Sequence, residues 1–378
     1  MNIAIIGGGI GGLTMALSLK RVGLPFKVFE AADEIKAVGA GIGLGSNAMQ
    51  VFRYLGIHND VAAAGRRIAV MSIRDEKFST LSRMDLSRFE KQYGLSNYAI
   101  HRADLHQVLA KAVGNEHIAL NKRLKDVEKT SAGFSLLFED GTTNEVTHII
   151  GADGIKSKVR ETFFDDGTLR DAKQLCWRGV LDADLPASLD YNALEAWGKA
   201  TRFGMVKMNS RQVYWYLLID EHLGTLGSDV EQLAKAFHPL AQDLVQNTDK
   251  EGLIKTKIYD LKPIKSWSQK GICLIGDAAH ATTPNLGQGA CQAIEDAYVL
   301  GELLKKYDID KAFGQYPKLR MEKAKRIVNQ SWILGKVAHL SNPVLMYLRN
   351  LVMKLTPATI SLKQLEDLFK ITSAENEY

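Results

Sequence analysis

Apolar positions set the rhythm of this chain from its third residue. Ile3, Ile5 and Ile6 form an unbroken apolar run, which predicts a buried strand. Leu13, Ala16, Leu17 and Leu19 then recur at helical spacing until Gly23 breaks the pattern, and Phe26-Lys-Val-Phe29 predicts a second strand ending on Glu30. Further along, Ala48 to Leu55 reads as a short helix closed by Gly56, and Val70 to Leu86 as strand and connection. A helix starts near Ile100, with Asp104 in its first turn and Leu105, Val108 and Leu109 on one side. Phe134 to Glu139 and Glu145 to Ile150 bracket Asp140-Gly141, a hairpin signal.

The texture changes between about 172 and 262. Cys176-Trp-Arg-Gly-Val-Leu181, Thr201 to Met208 and Val213 to Ile219 predict aromatic-rich strands, the last two joined by Asn209-Ser-Arg. Apolar and polar residues do not alternate cleanly in them, so both faces are expected to be partly covered, one by protein and one by a ligand or neighbouring domain. Tyr214 and Tyr216 share one strand face, and core packing is the simpler use of either alone. Gly271 to Leu274 reads as a strand running into Gly276-Asp277. Ala290, Ala293, Ile294, Ala297, Leu300 and Leu304 form the stripe of a following helix. From Ser331 to Phe369 the pattern predicts two or more helices around Pro343 and Pro357. The stripe Leu345, Leu348, Leu351, Val352 and Leu355 is expected to pack on the second domain, a membrane surface being the alternative.

Two glycine-rich stretches add chemistry to this frame. Gly7, Gly9 and Gly12 stand at G-x-G-x-x-G spacing between the first strand and helix. Gly7 permits a tight turn, Gly9 leaves no Cβ between backbone and a pyrophosphate, and Gly12 lets the helix lie close on the strand. The helix N-terminus then offers N–H groups to phosphate without any basic side chain. Glu30 is placed to accept hydrogen bonds from an adenosine ribose and would repel a 2′-phosphate, so the tight ligand is FAD or NAD rather than NADP. The second stretch, Ala37 to Asn47, includes Gly41 and holds more glycine than a turn needs. It is expected to pass close to a flat ligand.

Composition narrows the classes. A chain of 378 residues, 46% hydrophobic, is long enough for two interleaved domains. Its net charge of +5 is spread along the sequence, without the Lys/Arg blocks of a nucleic-acid surface. No apolar run is long enough to span a bilayer, and a core strand at residue 3 leaves no room for a signal peptide, so a cytoplasmic location is expected. Cys176, Cys273 and Cys291 are distant from each other and predict neither disulfide, metal site nor dithiol exchange. Oligomeric state is left open between monomer and homodimer.

Three motifs in order, Gly7-x-Gly9-x-x-Gly12 with Glu30, Gly151-Ala-Asp153-Gly154 with Ser157 and Arg160, and Gly276-Asp277 with Pro284 and Gly287-Gln288-Gly289, resemble the FAD-dependent single-component aromatic-ring monooxygenases of the p-hydroxybenzoate hydroxylase type. Cys176-Trp-Arg-Gly179, Trp197 to Gly204 and Ser331 to Gly335 are most similar to the urate hydroxylases and heptyl-hydroxyquinolone synthases. Cys291 stands where many relatives carry asparagine.

The resemblance implies an α/β fold. A Rossmann-like FAD-binding domain would be built from 1–70, 99–171 and 263–335, with an inserted mixed β-sheet substrate domain from 71–98 and 172–262, and C-terminal helices over 336–378. It also implies that NADH or NADPH, a transient cosubstrate without its own fingerprint, reduces a tightly but non-covalently bound FAD. O2 then gives a flavin C4a-hydroperoxide that hydroxylates a small aromatic or heteroaromatic substrate. In that scheme Asp277 binds ribityl hydroxyls and Arg102 the pyrophosphate or ribityl chain. Asp153 and Gly154 serve both FAD and nicotinamide, and Pro284 walls the reactive face. The helix start at Gly287 to Gly289 faces the flavin N1–C2=O edge. His101 and His280 read as satisfied loop histidines. For Arg202 an exposed strand arginine and a substrate anchor are both open; with Tyr216 it is expected to fix a substrate oxygen. Two other classes share the fold: a flavoenzyme acting on isoprenoids, and a non-catalytic carrier, for which the proline and Gly-Gln-Gly loop would be superfluous.

Overall fold

The computed structural model describes residues 2–34, 40–164 and 167–373; Ala37 to Gly39 of the second glycine stretch lie outside the described residues. Ile3–Ile6 is the centre of a six-stranded sheet with the order 268–269, 272–274, 148–151, 3–6, 26–29, 118–119. All its pairings are parallel except that of 268–269 with 272–274. The predicted apolar run is fully buried because a central parallel strand is covered on both faces. Glu145 to Ile150 is not one strand: Thr143–Val146 pairs back on Gly133–Phe138, whereas His148–Gly151 joins the large sheet.

Helices Ile10–Val22 and Gly289–Lys306 run side by side and parallel. Small residues allow the approach: a Cβ on Gly11 would lie 3.1 Å from Ala293 Cβ, and one on Gly301 2.9 Å from Ser18 Cβ. Residue 11 opposite 293 and 18 opposite 301 mean that both N-termini open on the same side.

The second sheet has seven strands, ordered 254–261, 169–182, 212–220, 201–207, 192–197, 70–75, 80–85. It is mixed, since 70–75 and 192–197 pair in parallel and the other pairs are antiparallel. Alternation is clearer in space than along the chain. Trp177, Phe203, Trp215, Leu217 and Ile219 point into a core closed by helices Val230–Ala234 and Pro239–Gln246. Register places Arg178, Glu195, Arg202, Tyr214 and Tyr216 on the other face.

Ile309–Ala338 is a single long helix, followed by Pro343–Leu355 and Ala358–Phe369. Asn342 caps the first of these last two, its Oδ1 accepting from Val344 N at 2.9 Å. The expectation that its apolar stripe packs on the second domain does not hold. Leu345, Leu348, Leu351, Val352 and Leu355 are exposed, and Arg349 is the buried residue of that helix. Helical spacing marks an apolar face; it does not supply a surface to cover it. No helix among the described residues is long and apolar enough to cross a membrane.

Candidate cofactor and substrate site

The first glycine motif has three distinct geometries. Gly7 is at φ +102, and a Cβ there would lie 2.4 Å from Ala152 O; one on Gly12 would lie 1.9 Å from Gly7 O. Both are needed to close strand, turn and helix together. Gly9 differs, because a Cβ on it would meet nothing within 4 Å. It caps helix Ile10–Val22 without any side-chain hydrogen bond, so the first-turn N–H groups point into open space. The turn is held from two sides: Glu30 Oε2 accepts from Gly8 N at 2.6 Å, and His106 Nε2 lies 2.5 Å from Gly8 O. Glu30 Oε1 also accepts from Ala32 N at 2.8 Å.

Around this turn lie the other motifs. Asp153 is committed to local structure, accepting from Ser157 Oγ at 2.5 Å and from Lys158 N and Val159 N at 2.7 and 3.1 Å. It thereby fixes the turn at Gly154, which is at φ +80 with no atom within 4 Å of an added Cβ. Asp277 follows the first sheet's strand 272–274 and is solvent-accessible. The surrounding protein pushes its carboxyl above the ordinary range, against the pull of His280 and Arg102. Arg102 opens helix Arg102–Val113 and is exposed, while His101 Nδ1 merely caps that helix through Ala103 N at 3.3 Å. His280 is likewise satisfied, 2.5 Å from Asp296 Oδ2.

Pro284 and Gly287 are accessible and Gln288 is buried, its Oε1 accepting from Asn47 Nδ2 at 3.1 Å. This ties the 284–289 loop to the second glycine stretch, and Gly45 N donating to Cys291 Sγ at 3.4 Å ties the following helix to it. The buried Cys291 thiol is pushed up to about 11 and stays neutral. Gly41 makes room for protein: a Cβ there would lie 2.5 Å from Tyr214 Cδ1. Gly43 and Gly287 face open space.

The polar face of the second sheet meets this loop at Asn285. Arg202, nearly fully buried, donates from Nη1 to Asn285 Oδ1 at 2.5 Å and from Nε to Glu195 Oε1 at 2.7 Å. Asn285 is itself anchored by Nδ2 donating to Thr283 Oγ1 and Ser331 O. Glu195 also accepts from Tyr216 OH and Trp197 Nε1. Burial would raise its carboxyl, but Arg202 beside it holds the group below the ordinary range. The exposed-strand reading of Arg202 therefore does not hold. Gly204 is required by this network, since a Cβ on it would be 2.1 Å from Tyr216 Cζ.

Arg178, directly opposite Tyr216 in the sheet, is different. Its neighbours are Cys176 and Tyr214, both held neutral: burial pushes the Cys176 thiol up and raises the Tyr214 phenol well above its usual value. No carboxylate among the described residues offsets it. A half-buried guanidinium without a counter-charge is an anion-attracting group.

Residues 1–330 match the FAD binding domain family. The chain belongs to this family of flavoproteins. Curated relatives agree: it is 34% identical over 361 residues to the aurachin C monooxygenase/isomerase of Stigmatella aurantiaca, covering 94% of each chain. It is 33% identical to the 3-hydroxybenzoate 6-hydroxylase of Polaromonas naphthalenivorans, over 90% of this chain and 88% of that one. The FAD-dependent urate hydroxylase of Mycolicibacterium vanbaalenii is 30% identical, with 91% and 90% covered. In fold the flavoprotein is similar to Klebsiella pneumoniae HpxO complexed with FAD and uric acid, at TM-score 0.89 and 23% identity over 98% of this chain and 96% of that one. It is an enzyme of the FAD-dependent monooxygenase and hydroxylase kind.

The residues fit the cofactor. Gly9, Gly43, Gly154 and Gly287, contributed by separate segments, all border open space that side chains would fill. Two helix N-termini without side-chain caps open on one side of the molecule. Glu195, Asn285, Arg178 and His106 carry the site's remaining polar geometry, and no motif in the sequence marks them as chemical groups. A lone acid two residues before Trp197 in an apolar strand was the available signal for Glu195.

Proposed function

We propose that this flavoprotein uses NAD(P)H and O2 to hydroxylate a small aromatic or heteroaromatic compound that carries an anionic or strongly polarised oxygen. The observation that carries this reading is the pair of arginines on one sheet face, one neutralised by Glu195 and tied to the 284–289 loop, the other without a carboxylate. FAD held in the glycine-lined space would supply the redox chemistry, passing two electrons from NAD(P)H to O2, one atom of which would enter the ring while the other would leave as water.

The chain's own residues hold and shield the reactants. Gly9 and the first turn of Ile10–Val22 receive the pyrophosphate, Glu30 the adenosine ribose, and Asp277 the ribityl hydroxyls, with Arg102 contributing charge from outside. Asp153 is a positioning residue for Gly154. The N-terminus of helix Gly289–Lys306 would favour negative charge on a reduced flavin held beside it by about 0.3–2 kcal/mol. Pro284 walls the reacting face and, with Tyr214 and Tyr216, excludes water.

Arg178 binds the substrate oxygen, and Arg202 sets the loop through Asn285. The two substitutions therefore differ. Arg178→Met is expected to raise the substrate KM about ten- to hundredfold, the loss of one charge-assisted hydrogen bond, with FAD retained. Arg202→Ala is expected to uncouple the enzyme, so that NAD(P)H oxidation continues while product per NAD(P)H drops severalfold. Steady-state kinetics with product analysis checks both; unchanged affinity in Arg178→Met together with unchanged coupling in Arg202→Ala would remove the assignment.

The reaction class is tested by screening phenols, salicylates, urate and quinolones for stimulated NADH or NADPH consumption coupled to O2 uptake. Turnover that leaves O2 untouched would instead indicate a redox-neutral or reductive flavoenzyme acting on isoprenoids.

A further inference from the structure

Fourteen large apolar residues are exposed among those described, and ten of them fall between Ile333 and Ile360. Helix Pro343–Leu355 is the centre of this patch. Val344, Tyr347, Leu348, Leu351, Val352 and Leu355 recur at three- and four-residue intervals along one side, with exposures from 38% to 71%. The opposite side bears Met346, Arg349 and Met353 and lies toward the protein. Arg349 is its anchor: the guanidinium sits over the Trp197 ring at 5.3 Å and donates to Ala338 O at 2.9 Å. The helix is thus fastened beside the second sheet by its inner side, and its outer side is covered by none of the described residues.

Charge identifies the partner. From Lys323 to Leu365 the sequence contains seven Lys or Arg and no Asp or Glu, although the whole chain carries only +5. Lys336, Lys354 and Lys363 are exposed. On the helix, Lys354 lies at the edge of the apolar stripe, where its charge reaches an interface while its methylenes follow the stripe. An amphipathic helix with an apolar outer stripe, an interfacial tyrosine and basic residues without acids matches an anionic lipid surface. A second copy of the chain fits less well, because a two-fold contact would set this acid-free segment against itself.

We propose that Pro343–Leu355 docks the flavoprotein on the surface of an anionic phospholipid bilayer, lying in the interface plane without crossing it. The docking depends on no step of the proposed reaction, so either can fail alone. The test is co-sedimentation of the FAD-loaded protein with sucrose-filled vesicles of phosphatidylcholine alone or mixed equally with phosphatidylglycerol. The mixed vesicles are expected to pellet the protein, and high salt to weaken that binding. Lys354→Gln should reduce the partition coefficient about fivefold and Val352→Asp at least tenfold. Both positions are exposed, so bound flavin and far-UV spectra should match wild type. Absence of binding to the mixed vesicles, equal binding to neutral vesicles, or a dimer in sedimentation equilibrium that Val352→Asp dissociates would each overturn the proposal.

Discussion

Gly9→Val is expected to yield a folded, colourless protein. The other two glycines of the motif cannot separate folding from binding, because a Cβ on Gly7 or Gly12 strikes backbone at 2.4 or 1.9 Å. At Gly9 nothing lies within 4 Å and the backbone is extended at φ −70, so the apoprotein accommodates a side chain. The added methyl groups take up open space beside the uncapped first turn of helix Ile10–Val22. Excluding the pyrophosphate from two charge-assisted hydrogen bonds costs about 3–6 kcal/mol, or roughly 100- to 20,000-fold in FAD affinity. Fluorescence titration of deflavinated protein with FAD measures this, and far-UV circular dichroism with a melting curve confirms the fold. Affinity within a few-fold of wild type would mean that the diphosphate does not approach this turn.

The contrast between those glycines shows where sequence reading succeeds. Spacing identifies a strand, turn and helix because each requirement is local: φ +102 at Gly7, close approach at Gly12, open backbone at Gly9. The Gly276-Asp277 turn and helix Gly289–Lys306 were legible for the same reason. The polar face of the second sheet was not. Arg202 meets Asn285 across 83 positions, and Tyr216 meets Glu195 across 21, contacts decided by strand register and by how two sheets meet. Register also divides the arginines. Arg178 and Arg202 look alike in sequence, yet one lies opposite Tyr216 without an acid and the other beside Glu195. The stripe of Pro343–Leu355 is a different case: its period is plain in the sequence, but periodicity carries no information about what covers a face.

Helix Gly289–Lys306 conceals a second feature invisible to pattern reading, and its disruption is expected to destabilise the protein strongly. Glu295 and Asp296 read as ordinary helix acids but are fully buried. Arg320, with no exposed surface, donates from Nε to Asp296 Oδ1 at 2.8 Å and from Nη1 to Glu295 Oε1 at 2.6 Å. Asp296 Oδ2 also accepts from Gly276 N at 2.9 Å, so the cluster holds the turn that presents Asp277. Arg320→Met removes one cation from between two buried acids, which costs about 3–5 kcal/mol. With roughly 2.1 cal/mol/K of unfolding entropy per residue over 378 residues, the thermal midpoint falls by about 4–6 °C. The pH dependence distinguishes this from simple loss of packing. Burial alone would raise the Asp296 carboxyl, but His280 and Arg320 overcome it and hold the folded pKa at about 2. A depressed carboxylate pKa stabilises the folded state above the unfolded value, near 3.9, and that contribution disappears as pH falls toward 2. Urea midpoints of wild type and Arg320→Met should therefore differ most near pH 7 and draw together as pH falls toward 2, because without the cation the buried acids of the variant protonate at higher pH. A gap that persists unchanged into acid would assign the loss to packing, and a midpoint within error of wild type at neutral pH would show that the buried cluster contributes nothing to stability.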